Sequence, residues 1–342
     1  MYAVQTSVIW PPLSRPYTAT GWNDNKSTHL LFFMSVGTTA RAPFWRRLSD
    51  YLTLLKPRVM SLVVFTALVG LLLAPGGIEP VAGIVSVCAI AVGAGAAGAI
   101  NMWYDRDIDA LMRRTLHRPL PAGRLHPAES LALGVLLSVA SVWTLAIWAN
   151  RTSALLLAAT ILFYVVVYTM WLKRRTPQNV VIGGISGALP PVVGWSAVTG
   201  SIEPGAVFLF AIIFLWTPPH SWALALFRQE DYAAAAVPML PVTASRRATG
   251  QQIALYSALL IPVTLMPLPM GLSGLIYGVA AIGLGVGFAI HAWRLFQALL
   301  APEPGAADTV IARKLFVYSV RYLFLIFLAL LIDRWFLIPA TW

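Results

Sequence analysis

The sequence predicts an all-α integral membrane protein with nine transmembrane helices, its N-terminus cytoplasmic and its C-terminus external. Three observations carry this. Apolar residues make up 58% and charged residues 11% of the 342 positions, where a soluble domain carries about 45–50% and about 25%. Nine stretches approach the roughly 20 mostly apolar residues that span a bilayer. Lysine and arginine fall almost entirely on alternate connections. Disorder is excluded, because it needs low hydrophobicity and high charge. The single cysteine, Cys88, excludes an intrachain disulfide and a cysteine-cluster metal site. A net charge of +11 on so apolar a chain points to anionic membrane lipid and anionic substrates as partners, and to no nucleic acid.

The expected spans are 57–74, 81–104, 128–149, 153–172, 179–198, 204–227, 252–271, 273–299 and 314–337. Runs such as 93-GAGAAGAI-100 and 183-GGISGALPPVVGW-195 suit membrane helices, which tolerate glycine and proline and approach closely through small residues. With the N-terminus inside, 21 of the 24 Lys and Arg lie on one side. They occupy the tail through Arg58 and the loops containing Arg106–Arg124, Lys173–Arg175, Arg228–Arg247 and Arg294–Lys314. Arg151 and Arg334 lie opposite, and Arg321 sits inside the ninth span, where it can snorkel. The positive-inside rule then sets the orientation.

Residues 1–48 read as an N-terminal extension, disordered or the product of an over-long start, with Met34 as an alternative start. The polytopic domain covers 49–342. The run 30-LLFFMSV-36 is too short to span and lacks the flanks of a secretory signal. Only two basic residues precede Arg41, so a transit peptide is a weak reading. The expected location is the cell inner membrane, with the mitochondrial inner membrane as the alternative.

The second span ends in 101-NMWYDRDID-109. Asn101, Asp105 and Asp109 are spaced i, i+4, i+8 and lie within about 80° on one helical face. Asp107 points away and reads as solvated or salt-bridged. Oxygen ligands on one face suit a hard cation such as magnesium, which completes its shell with phosphate oxygens. A charged helix end beside the headgroups is the rival reading.

A second segment, 216-WTPPHSWALALFRQEDY-232, closes the sixth span. Pro218 and Pro219 are expected to break the helix, with Thr217 capping a new half-helix. That half-helix carries His220 deep and Asp231 shallow on one face, with Glu230 within reach. An ionisable group inside a membrane is a functional candidate; a histidine donating to a neighbouring helix is the structural alternative. Cations gather near both arrays: Lys56 and Arg58 at the first span, Arg114 and Arg118 in 113-RRTLHRPLPAGR-124, and Lys173 one turn beyond Tyr168. Carboxylates for a metal beside cations for oxygen anions fit a magnesium-bound diphosphate.

Over about residues 50–340 the chain resembles the intramembrane prenyltransferase superfamily, and within it the protohaem IX farnesyltransferase (haem O synthase) family. The resemblance rests on LLKPRV (54–59), NMWYDRDIDALMRRTLHRPLPAGR (101–124), YTMWLKRRTPQNVVIGG (168–184) and WTPPHSWALALFRQEDYAAAAVPMLPV (216–242). Met102 replaces the first aspartate of the superfamily's NDxxDxxxD motif. His220 replaces the first aspartate of the second motif, and TPPHxWAL marks the haem branch. Ala236 stands where the family usually shows glycine.

The resemblance implies nine helices around a central cavity that opens laterally to lipid. It implies transfer of a farnesyl group from farnesyl diphosphate to a vinyl of haem b with hydration, giving haem O and diphosphate. In that frame Asn101, Asp105, Asp109 and Asp231 hold Mg2+, with Glu230 beside them. Lys56, Arg114, Arg118, Tyr168 and Lys173 grip the diphosphate, and His220 and Trp222 meet the haem. A downstream haem A synthase is the implied partner. Among rivals, a prenyltransferase of quinone precursors should carry aspartate at 220. A transporter should show an internal repeat or midplane charges. A CDP-alcohol phosphotransferase should show a DG-and-AR motif, which this chain lacks.

Overall fold

The computed structural model describes residues 44–301 and 305–336. The expectation for 1–48 therefore lies outside the described residues as far as residue 43. Residues 44–48 open helix α1, Phe44–Leu54. The rest of the chain forms α2 (Pro57–Leu73), α3 (Pro80–Tyr104), α4 (Arg106–Asp109), α5 (Pro127–Trp148) and α6 (Arg151–Leu162). A π-helical segment follows at Phe163–Leu172. Then come α7 (Asn179–Ala188), α8 (Pro190–Thr199), α9 (Pro204–Leu226), α10 (Gln229–Ala234), α11 (Leu240–Thr243), α12 (Arg246–Leu265), α13 (Leu275–Leu300) and α14 (Ala306–Phe336). No strand occurs among the described residues.

Seven of the nine expected spans are helices long and apolar enough to cross a membrane, or eight if the bent pair α1–α2 counts as one. The other two fall short for identifiable reasons. Helix α2 has 17 residues, and α12 opens with the polar run RRATGQQ. The chain is a multi-pass membrane protein.

Small residues set the closest helix contacts. A Cβ on Gly70 of α2 would lie 2.2 Å from the Pro191 carbonyl oxygen of α8, and one on Gly194 of α8 would lie 2.1 Å from that of Ala67. Two helices thus meet backbone to backbone, the arrangement small residues permit in membranes. Helices α9, α12, α13 and α14 enclose the largest core, around Tyr277, Phe288, Tyr322 and Phe327. Asp333 of α14 is fully buried. It accepts the backbone N–H groups of Gly274 and Tyr277 and so caps the start of α13.

Three local expectations are corrected. Helix α9 runs unbroken through Pro218 and Pro219, so Thr217 is no N-cap. Its hydroxyl donates instead to the Ile213 carbonyl at 2.8 Å. Helix geometry survives there because membrane helices re-satisfy the carbonyls that proline frees. The acidic face is split at Asp105, which ends α3 with φ −87° and ψ 8°. Backbone bonds from Asp105 to Asn101 and from Asp109 to Asp105 nevertheless keep the i, i+4 spacing. The span expected at 153–172 changes from α to π at Phe163.

Candidate active site

At one end of the bundle the acidic residues and the cations meet in pairs. Asn101, Asp105 and Asp109 are buried, with Asp105 fully so. Lys173 and Arg174 both pair with Asp105. Arg118 reaches Asp109 at 2.6 Å. Lys56 donates to Asn101 Oδ1 at 2.7 Å. The Asn101 amide nitrogen donates to Asp105 Oδ2 at 2.7 Å and to Thr169 Oγ1 at 3.1 Å. Three expected diphosphate cations thus converge on three expected metal ligands. Lys56 does so from a left-handed backbone, φ 52°, which a non-glycine residue adopts only at a cost.

Asp107 does point away. It is solvent-facing and takes both arms of the Arg174 guanidinium at 2.7 Å, which holds its carboxyl below the usual range. Arg114 is exposed and Glu230 is exposed; neither enters these pairs.

The π segment explains how Lys173 and Thr169 reach this cluster. Its i→i+5 bonds, such as Lys173 N–H to the Tyr168 carbonyl at 2.8 Å, widen the turn. Residues four and five apart then share a face, so Tyr164, Tyr168, Thr169 and Lys173 align. In an α-helix, five residues rotate about 140°, so Tyr168 and Lys173 would diverge there; Tyr164 and Thr169 lie four residues from Tyr168 and Lys173 and were missed although that spacing already puts each pair on one face. Arg174 was legible there only as a topology signal.

The second arm reaches the first through the backbone. Asp231 is buried and accepts the Arg113 N–H at 3.2 Å through Oδ1. Ile108, Met112, Ala225 and Val237 pack between the two segments. Helix α10 ends in a Schellman motif: Val237 N–H bonds the Tyr232 carbonyl and Ala236 N–H that of Ala233. Ala236 holds its left-handed position with φ 50°, the conformation that makes glycine usual there.

Beyond the charged end lies an apolar cavity of about 810 Å³, walled by α2, α3, α6 with the π segment, α7, α8, α9 and α14. Tyr164 and Tyr168 line it near the charges, as do His220, Trp216 and Phe316. Val59 of α2 and Val320 and Phe324 of α14 are exposed residues of its lining. His220 stacks between Trp216 at 4.2 Å and Phe316 at 4.7 Å. Its Nδ1 lies 2.7 Å from Ser319 Oγ on α14, so it does bond a neighbouring helix, while another edge of the ring remains for the cavity. Trp222 does not join it. That ring is 1% exposed, packed edge-on to Tyr256 and absent from the cavity wall. On α9 it sits two residues past His220, about 200° around, and so faces the core.

Among the described residues, no three His, Cys, Asp or Glu side chains form a ready metal cluster. The donors still fit a divalent cation that takes one or two carboxylates and fills its shell with phosphate oxygens. All are oxygens, and Asp231 Oδ2 is a buried acceptor with no hydrogen-bond partner.

The UbiA prenyltransferase family matches residues 63–320. A protoheme IX farnesyltransferase of Parvibaculum lavamentivorans is 56% identical over 285 residues, covering 83% of this chain and 88% of the relative. One of Granulibacter bethesdensis is 52% identical over 302 residues, covering 88% and 95%. Among solved structures, a digeranylgeranylglyceryl phosphate synthase aligns with TM-score 0.69 at 16% identity, covering 84% of this chain and 98% of that one. A UbiA homolog from Archaeoglobus fulgidus bound to DMAPP and Mg2+ aligns with TM-score 0.59 at 17% identity, covering 83% and 99%. The two structures share the fold; the sequence match carries the relationship, and this chain belongs to the UbiA prenyltransferase family.

Proposed function

We propose that this protein transfers the farnesyl group of farnesyl diphosphate to a vinyl of haem b, with water adding a hydroxyl, giving haem O and diphosphate. The observation that carries the reading is the junction of a carboxylate–cation cluster with a large apolar cavity through Tyr164 and Tyr168. The identity of 52–56% to protoheme IX farnesyltransferases selects the acceptor, as does histidine at position 220.

Lys56, Arg118 and Lys173 bind the diphosphate oxygens and stabilise the charge that grows on them as the allylic bond ionises. Asn101, Asp105, Asp109 and Asp231 would hold a magnesium ion, which when bound would supply positive charge to the leaving diphosphate. The cavity keeps stray water from the allylic cation, and the faces of Tyr164, Tyr168, Trp216 and Phe316 stabilise its positive charge. The one-sided distribution of lysine and arginine supports a cytoplasmic site in the inner membrane. Haem O would pass to an oxidising enzyme, for which haem A synthase is the candidate. The test is incubation of the purified protein with haem b, farnesyl diphosphate and magnesium, with pigments resolved by mass. Prenylation of a quinone precursor without prenylation of haem would overturn the reading.

A further inference from the structure

The side chain of Ser319 decides which nitrogen of His220 carries the proton. Ser319 Oγ donates its only hydrogen to the Phe316 carbonyl at 2.7 Å, because a carbonyl can only accept. With its hydrogen on that carbonyl, the same oxygen accepts from His220 Nδ1, also at 2.7 Å. In that arrangement Nδ1 carries the proton and Nε2 keeps a lone pair. Among the described residues nothing in the protein bonds Nε2, and His220 lines the cavity. So placed, the neutral ring cannot donate from Nε2 to a haem propionate.

From this geometry we propose that His220 is the general base of the hydration step, and that Ser319 is its positioning residue. The inference rests on the haem reading above. In that reaction the farnesyl C1–O bond breaks and diphosphate leaves with the electron pair. The terminal vinyl carbon then bonds to C1, and the positive charge moves to the carbon next to the porphyrin ring. Water oxygen bonds that carbon and must lose one proton. That proton goes to His220 Nε2.

Two further observations favour a base over a spectator. The other ionisable side chains among the described residues lining the cavity are Arg58, Tyr164 and Tyr168. Arginine is already protonated and a neutral phenol is a poor acceptor, so the neutral imidazole is the proton acceptor of this lining. The imidazolium that forms would lie between two aromatic faces, Trp216 and Phe316, with interplanar angles of 19° and 26°. Both faces stabilise a cation. Trp216 is itself pinned, its Nε1 donating to the Ser319 carbonyl at 2.7 Å. One residue of α14 thus orients the imidazole and one of its stacking partners.

The experiment is product analysis by mass for wild type, His220→Gln, Ser319→Ala and Ser319→Thr, with haem binding followed in the Soret band. Without the base, the cation next to the ring sheds a neighbouring proton instead of adding water. The product is then a prenylated haem lighter by one water. We expect His220→Gln to lower the rate of hydrated product by about 100-fold while haem still binds and the lighter product accumulates. Ser319→Ala should shift the product ratio in the same direction, and Ser319→Thr, which keeps the hydroxyl, should restore it. An unchanged product ratio in both His220→Gln and Ser319→Ala overturns the proposal. So does loss of haem binding in His220→Gln with no prenylated product of either kind, which would make His220 a haem-binding residue instead. If the wild type prenylates no haem at all, the haem reading falls, and this inference with it.

Discussion

Arg118 closes on Asp109 at 2.6 Å, bringing the basic loop back onto the acidic residue that precedes it by nine positions. Thr115 supports the turn by donating to the Asp109 carbonyl at 2.8 Å. Lys173 does the same for Asp105 from a distant helix. Each expected metal ligand of this motif's carboxylate pair is therefore matched with one expected diphosphate cation. A buried pair is costly to break from one side, typically about 3–5 kcal/mol.

Asp105→Ala and Asp109→Ala should each abolish magnesium-dependent turnover, by at least about 100-fold, while membrane insertion persists. Asp107→Ala should stay within a few-fold of wild type, because its carboxylate faces solvent and pairs only with Arg174. Turnover against magnesium concentration is the measurement. A dead Asp107→Ala enzyme would refute the assignment of the buried face.

Arg118→Ala and Lys173→Ala should raise KM for farnesyl diphosphate and lower kcat, since charge grows on the leaving group in the transition state. Arg151→Ala is the control. Arg151 opens α6 at the opposite end of that span from Lys173, and its loss should change neither constant. Steady-state kinetics in detergent or nanodiscs decides this. If both pocket variants match wild type, these residues serve topology alone.

Much of this was legible in sequence for simple reasons. Asn101, Asp105 and Asp109 keep their four-residue spacing, and the direction of Asp107 follows from it. What escaped depends on backbone geometry that side-chain periodicity does not encode. The break at Pro218–Pro219 was expected from soluble helices, but α9 continues through both. The π turn brings Tyr168, five residues before Lys173, onto the face of Thr169 and Lys173, which α periodicity does not do. The TPPHxWAL string sets Trp222 beside His220 in sequence, although two residues along a helix is nearly the opposite side. Ser319 lies 99 positions from His220, and no local pattern links them.

Ala236→Gly should stabilise the protein. Ala236 occupies the left-handed position of the Schellman motif with φ 50°, which costs an L-residue about 1 kcal/mol and glycine little. The gain should be about 1 kcal/mol, less the extra entropy glycine brings to the unfolded chain. A rise in thermal midpoint, read by intrinsic fluorescence, is expected. A fall would show that the strain is absent or that flexibility near Asp231 costs more.

Gly183→Ala should impair turnover through Tyr168. A Cβ at 183 would lie 2.2 Å from the Tyr168 ring, whereas one at Gly187, a turn later on the same helix, would meet nothing within 4 Å. The ring must move, and with it the aromatic wall beside the diphosphate end. We expect KM for farnesyl diphosphate to rise several-fold in Gly183→Ala and to stay near wild type in Gly187→Ala. Equal behaviour of the two variants would mean that the Tyr168 ring shifts at no functional cost.

Thr169→Val tests whether the π segment serves the metal site through Asn101. The two N–H groups of the Asn101 amide go to Asp105 and Thr169, and its oxygen takes Lys56. Thr169 is fully buried, so valine leaves the packing volume nearly intact and removes one acceptor. The amide then has one N–H without a buried partner, at a cost of about 1–3 kcal/mol, and its rotation is less fixed. A ligand oxygen that is free to turn binds its ion less well, because the orientation must be imposed at binding. The apparent magnesium affinity should fall about tenfold or more, the effect expected on losing such a supporting hydrogen bond, with kcat at saturating magnesium much less affected. Thr169→Ser keeps the oxygen and should recover the affinity. If valine instead lowered kcat at every magnesium concentration and serine failed to rescue it, Thr169 would be acting through packing of the π segment and not through the amide of Asn101.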